Sequence, residues 1–351
     1  MFDYSESSII RLSAHQVGSK AEEELLHLSK KPLDIEASNL RESLLQYFLS
    51  HFKVPEFYSF SFSDDDLSLN PVYKYASKIF DEKNDQAFHS ASVQLAKHLY
   101  NCSDHPNIKS GDFYVAHFSN VNFQGENTEA IGIFKAENKD AFLKLQYSNE
   151  TFQLSCDNGI NINKADKSCL IFKTDRDEGF KVCIIDRSSK ASAEAQYWKD
   201  RFLYLRPCGD DYHYTKNFMS LTKNYVSQRL PEDFEVSGAD RADYLNRSMD
   251  FFKNNERFDE EHFEKEVLQH ETLIDSFKKY KEDFEQEQDL DMNAQFSISA
   301  PAVKKQSRIF KSVLKLDKNF HVYIHGNRDL IEHGVDEKGR KFYKIYYSQE
   351  T

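Results

Sequence analysis

The spacing of apolar residues changes several times along this chain, and each change predicts a different kind of element. Residues 9–17 alternate loosely and predict a first strand. From 38 to 52, Leu40, Leu44, Leu45, Phe48, Leu49 and Phe52 recur at helical spacing, with Ser38 placed as the N-cap and Pro55 ending the unit. Two further helices are predicted over 72–80, after Pro71, and over 86–100, where Phe88, Leu95 and Leu99 share one side. Short strand-like runs then follow at 113–118, 129–135, 151–156, 168–173 and 180–186. Turn clusters such as Asn120-Val121-Asn122 and Asp157-Asn158-Gly159 separate them. Connections this short favour an antiparallel meander, because parallel strands need a helical crossover.

Helical spacing returns over 193–205 and 212–230. Pro231 is the predicted boundary between an N-terminal α+β domain, 1–231, and a C-terminal domain, 232–351, of acidic helices followed by a basic β-ribbon. The two charged helices are expected over 240–254 and 259–287. In the second, Phe263, Val267, Leu268, Ile274, Phe277 and Phe284 form one apolar stripe. Such a stripe must be buried against another domain or another chain. In the tail, Phe320, Val322 and Ile324 alternate with His321, Tyr323 and His325, and 341–347 predicts a second strand. Asp336-Glu337-Lys338-Gly339 supplies turn chemistry between them. The expected class is α+β: an antiparallel meander sheet with flanking helices, plus a C-terminal helical and β-ribbon domain.

Charge adds a second pattern to the apolar one. The 351 residues carry a formal net charge of -12, yet 304–344 holds eleven basic and five acidic residues, a net of +6. Just upstream, 232–291 holds twenty acidic and eight basic residues, a net of -12. A phosphate backbone responds to local potential rather than to total charge, so the basic stretch suggests a polyanion-binding face. The 29 Phe and 19 Tyr are enough to fill a core and leave aromatics for stacking. No run of about 18 apolar residues predicts a membrane span. The first residues lack the basic and apolar regions of a signal peptide. Five scattered cysteines without a C-x-x-C read as thiols in a reducing compartment, so a cytoplasmic location is expected.

The candidate DNA-contacting residues are Lys304, Lys305, Arg308, Lys311, Lys315, Lys318, Arg328, Arg340, Lys341 and Lys344, with Tyr323 and Tyr347 for groove or sugar contacts. The competing reading is internal: +6 beside -12 attracts, and salt bridges to the acidic helices would neutralise the tail. Asp112, with Glu137-Asn138-Lys139 after it, loosely resembles a metal-dependent nuclease arrangement, but the proline-acid lead is missing. Asp64-Asp65-Asp66 lacks the alternating spacing of a calcium loop. Cys102 and His105 have zinc-like spacing without a second pair, and His15, in the first strand, reads as a satisfied histidine rather than a catalyst. No G-x-S-x-G, phosphate-loop or dinucleotide glycine motif is present. The expectation is a non-enzymatic protein with no cofactor and no metal.

Several segments together resemble one family. They are Ser110-Gly111-Asp112-Phe113-Tyr114-Val115-Ala116-His117-Phe118, then Ile131-Gly132-Ile133-Phe134-Lys135, then residues 160–172. Ala195-Gln196-Tyr197-Trp198 with Phe202-Leu203, and Phe320-His321-Val322-Tyr323-Ile324-His325-Gly326 with residues 341–347, complete the set. Spread from about Ser7 to Tyr347, this pattern is similar to the NdpA-type bacterial nucleoid-associated proteins. The resemblance implies a nucleoid location and DNA as partner, with no enzymatic activity. The leading expectation is largely sequence-nonspecific DNA binding through a local basic surface. The alternative is a protein-interaction adaptor or oligomerisation module, with a second copy of the chain (a homodimer) or a DNA-processing protein as partner.

Overall fold

The computed structural model describes residues 2–52, 56–63, 66–187, 197–288, 290, 292–308, 310, 313–324 and 328–349. The chain forms two compact units, Met1–Cys208 and Gly209–Thr351. Pro231, where the sequence places the boundary, lies inside the second unit. It lies in a continuous helical run, where the π-turn Tyr225–Arg229 passes into the short helix Leu230–Asp233, and so sits in helix rather than in a linker.

One antiparallel sheet organises the first unit. Its strands run in the order Leu205–Pro207, Tyr58–Phe60, Lys181–Asp186, Lys167–Phe172, Glu126–Ala136, Gly111–Phe123, Ser8–Val17 and Leu26–His27. Phe2–Asp3 adds to the end of Gly111–Phe123. Helices Pro71–Asp81 and Asp85–Cys102 cover one face, packing Val72, Ile79, Leu95 and Leu99 in one cluster with Val115, Ile131, Ile133 and Ile171. Helix Ser38–Leu49 covers the other face through Phe48, whose ring stacks on Phe134 at 4.3 Å. Cover on both faces explains why Ala130–Ala136 and Lys167–Phe172 are buried without interruption, which hides the alternation of a half-exposed strand.

Local chemistry accounts for the boundaries. The Asn70 side chain accepts hydrogen bonds from the Val72 and Tyr73 N–H groups, with Pro71 opening the helix behind it. Asn84 caps the next helix through the Ala87 N–H. The expected Ser38 cap is not formed: Ala37 holds the cap position and makes no side-chain bond there. Asn120-Val121-Asn122, expected as a turn, is a bulge inside one long strand, with Asn120 at φ 54° and the register shifting between Phe118 and Val121. Of the helix expected over 193–205, the described part is the π-helix Tyr197–Leu203; Ala195 and Gln196 lie outside the described residues.

Between two sheet strands the chain sends out a ribbon that the sequence reading half missed. Asp140–Ser148 pairs with Thr151–Gly159 in register from Asp140↔Gly159 to Ser148↔Thr151. Asn149 and Glu150, both at positive φ, make the two-residue turn. The expectation covered only 151–156, because no glycine marks the turn.

In the second unit, helices Asp211–Asn224, Gly238–Asn254 and Glu271–Gln288 enclose an aromatic core of Phe218, Phe251, Phe252, Phe258, Phe263, Phe277 and Phe296. The single helix expected over 259–287 is instead broken. Glu260–Phe263 runs into the π-turn Glu264–Leu268, Gln269 takes φ 66°, and the helix restarts at Glu271. The reversal brings Phe263, Val267, Leu268 and Phe277 into that core, with Ile274 and Phe284 against its edge. The apolar stripe is therefore covered by its own unit, not by another domain or chain.

Candidate nucleic-acid interface

Helix Gly238–Asn254 is the platform for the C-terminal strands. Ser237 and Asp240 form a capping box at its start, which fixes the first turn. Its first turns carry the small residues Gly238, Ala239 and Ala242, so Leu314, Ile324 and Ile331 pack directly on the helix, with Val322 and Tyr343 beside them. A Cβ on Gly238 would sit 2.7 Å from the Leu314 side chain, which shows how close that approach is. The Asn246 amide donates to the Ile324 carbonyl at 3.1 Å.

The strands on this platform do not pair as the sequence suggests. Phe320–Tyr323 pairs with Val313–Leu316, and Lys341–Ile345 pairs with Ile331–Val335, giving two ribbons in place of one. Both partner strands are four or five residues long, and Ile331–Val335 contains Gly334, so neither stands out as a strand locally. The 336–339 turn is as expected, but it joins the second ribbon's own strands, with Gly339 at φ 76° and the Asp336 carboxylate accepting the Lys338 and Arg340 N–H groups. His325 and Gly326 lie outside the described residues.

This topology sorts the candidate residues into three places. Lys304, Lys305 and Arg308 lie in and after helix Ala300–Gln306, which docks on helix Asp211–Asn224 through Gln306 and Thr215. The Lys305 ammonium sits 5.7 Å from the centre of the Tyr212 ring. On the first ribbon, Lys315 stands opposite His321 and Val313 opposite Tyr323, so these four share the face turned away from Leu314 and Val322. Lys318 is at that ribbon's tip. On the second ribbon, Lys341 and Lys344 are three apart and point to opposite faces. Tyr347 follows, 73% exposed. Lys311 is outside the described residues.

Internal neutralisation reaches some of these groups. Arg328 binds Asp240 at 2.6 Å and also donates to the Ile331 carbonyl. Burial alone would raise the Asp240 carboxyl, but the Ser237 hydrogen bonds and the Arg328 guanidinium outweigh it and hold it below its usual range. Arg340 pairs with Asp336 at 2.7 Å, and Lys344 with Glu332 at 3.6 Å. Those two pairs are local to the ribbon and solvent-exposed, so they hold the cations weakly. Among the described residues, Lys304, Arg308, Lys315, Lys318 and Lys341 make no ion pair; all five are exposed. Arg328 is thus a candidate that an acidic helix engages.

The catalytic-looking residues do come together, at one end of two central strands of the first unit's sheet. Asp112 opens one strand, and Glu137 and Lys139 follow the strand paired with it. They line a cleft of about 680 Å³ with Glu23 and Glu24. Asp112 and Glu137 are each already matched by a lysine: Asp112 with Lys139 at 2.9 Å, Glu137 with the fully buried Lys135 at 3.0 Å. Lys135 also donates to the Tyr197 hydroxyl at 3.2 Å, and burial draws its ammonium below the usual lysine range. Among the described residues, no group of three His, Cys, Asp or Glu side chains is placed to hold a metal ion. Cys102 is buried beside His98, and burial pushes its thiol up to about 11, while His105 serves a local turn through the Asn107 N–H. Asp66 caps the short helix Leu67–Leu69; Asp64 and Asp65 lie outside the described residues.

Comparison with known families decides the kinship. The family described as nucleoid-associated protein YejK matches residues 13–343. The chain belongs to that family. This is the NdpA-type family that the sequence resembles, so the general kind of function is that of a nucleoid-associated protein, and the family places it at the nucleoid. The match spans the whole sheet of the first unit past its opening residues, and the second unit down to Tyr343. No curated protein matches the chain. No helix among the described residues is long and apolar enough to cross a membrane.

Proposed function

We propose that this YejK-family chain binds DNA largely without sequence preference, through the basic surface of its C-terminal ribbons, and that it does so without catalysing a reaction. The carrying observation is the set of exposed cations that make no ion pair among the described residues: Lys315 and Lys318 on the first ribbon and Lys341 on the second, with Lys304 and Arg308 nearby in sequence. In a protein of net charge -12, such groups are held away from their natural partners and are available to phosphates. Tyr323 and Tyr347, both largely exposed, can lie against sugars or bases. Lysines act as point charges, and contacts from them to phosphates carry no sequence information, which supports binding that is indifferent to sequence.

The test is a salt titration of DNA affinity with the Lys315→Glu/Lys318→Glu/Lys341→Glu variant alongside. Each lost phosphate contact flattens the slope of log K against log salt by about 0.9, so three should flatten it by about 2.7. At physiological salt the same loss lowers affinity about 100-fold, equally for unrelated sequences. An unchanged slope and affinity would remove the ribbons from the interface. The adaptor reading loses its first motive, because the stripe that suggested it is filled by the second unit's own core.

A further inference from the structure

The ribbon Asp140–Gly159 has one face that nothing in the described structure explains. Directly opposed residues share a face, so the pairs Leu143↔Cys156, Leu145↔Leu154 and Tyr147↔Phe152 line up on one side. Lys144↔Ser155, Gln146↔Gln153 and Ser148↔Thr151 line the other. From Leu143 to Cys156 the ribbon is thus amphipathic, with Phe142 the one large apolar residue on the polar side, yet its apolar side is open: Leu143, Leu145, Tyr147, Phe152 and Leu154 are 63–70% exposed. A two-stranded ribbon is marginal in water unless its apolar face is covered.

We propose that a second copy of this chain covers it, the two apolar faces packing against each other about a two-fold axis as a small two-layer β-sandwich. A two-fold contact needs a self-complementary patch, and a flat strip of Leu, Tyr and Phe without a charged group satisfies that requirement. Charge agrees. The ribbon's charges are Asp140, Lys144, Glu150 and Asp157; Asp140, Lys144 and Asp157 lie on the polar side and Glu150 lies in the turn, so no charge faces its mate when the two apolar sides meet. A nucleic acid fits poorly, because Lys144 is the one basic residue in 140–159 and lies on the polar side. Size also agrees. Tyr147 and Phe152 expose roughly 130 Å² each and the three leucines roughly 100 Å² each, so a symmetric contact buries about 1,100 Å², which clears the roughly 1,000 Å² expected of a specific interface.

Cys156 provides the probe. It is exposed on the apolar face, whereas the other four cysteines are buried. Sedimentation velocity of the full chain from low to high micromolar concentration should give twice 41.1 kDa, with Cys156 alkylated by N-ethylmaleimide at least tenfold more slowly than in a monomeric variant. Leu145→Asp/Leu154→Asp should weaken the dimer at least 100-fold and restore fast alkylation. The milder Leu145→Ser/Leu154→Ser should act in the same direction, with the unfolding midpoint read by Trp198 fluorescence unchanged in both. A wild-type monomer throughout would overturn the proposal, and so would a dimer whose mass neither variant alters. A monomer with slow Cys156 alkylation would assign the face to another occupant and also overturn it.

Discussion

His15 should make the first unit acid-sensitive well above the carboxylate range. Its ring is 4% exposed, and both nitrogens are committed. Nδ1 accepts the Ser29 N–H at 3.1 Å, so the proton of the neutral ring lies on Nε2, which donates to the Ser92 hydroxyl at 3.0 Å. Protonating Nδ1 forfeits the Ser29 bond and buries a charge. Burial, helped by neighbouring His89, lowers the pKa from 6.5 to about 4. The unfolded chain therefore binds this proton first, so the stabilisation is complete above pH 6.5 and is lost as pH falls towards 4. From these two values the loss is about 2 kcal/mol at pH 5 and about 3 kcal/mol below pH 4, the second an upper figure. The assay is urea unfolding at pH 7, 6 and 5, read by the fluorescence of Trp198. This is the chain's single tryptophan, and it is buried in the same core. His98 and His117 are also held below the usual range by burial, so the wild type loses more than one histidine's share. The diagnostic quantity is the difference: His15→Gln should be less stable at pH 7 and should lose about 2 kcal/mol less between pH 7 and pH 5. Parallel pH dependence in the two proteins would refute the assignment of His15 as a neutral, proton-excluding core residue.

Two further outcomes are expected. Lys135→Met should destabilise the first unit by about 3–5 kcal/mol in the same urea assay, because it leaves the largely buried Glu137 carboxylate without its ion-pair partner. Adding Glu137→Gln should recover at least half of the loss, and a double variant no better than the single one would mean that the pair is not the cause. Incubation of supercoiled DNA with the full chain in Mg²⁺ or Mn²⁺ should give no nicking. Mg²⁺-dependent cleavage abolished by Glu137→Gln would replace the non-enzymatic proposal with a nuclease.

Periodicity located most of the elements, because amphipathic segments write their own geometry. The helices at 71–81 and 85–102 and the strands at 8–17, 126–136 and 167–172 all lie within a few residues of their expected positions. Errors fall where a segment's fate depends on something distant in the chain. Asn120 is a bulge rather than a turn because the neighbouring strand continues past it. The break at Gln269 is invisible in an unbroken helical stripe, because what bends the chain is the aromatic core that the stripe has to reach. Strand 140–148 carries no local mark, because its turn is Asn149-Glu150 with no glycine, and the open face is equally unmarked.

By itself the sequence determined the α+β class, the family pattern, and the existence of a basic segment beside an acidic one. Local composition and period carry those properties. Tertiary structure alone decided which strands pair in the tail, that Arg328 is the candidate spent on Asp240, and that Lys315, Lys318 and Lys341 make no ion pair among the described residues. It also decided that one apolar stripe, on 263–284, is filled from within, while another, on 143–156, is left uncovered. The reason is the same in each case. A pattern of side chains states that a face or a charge needs a partner, whereas the partner is chosen by strand register and packing between residues far apart in the chain.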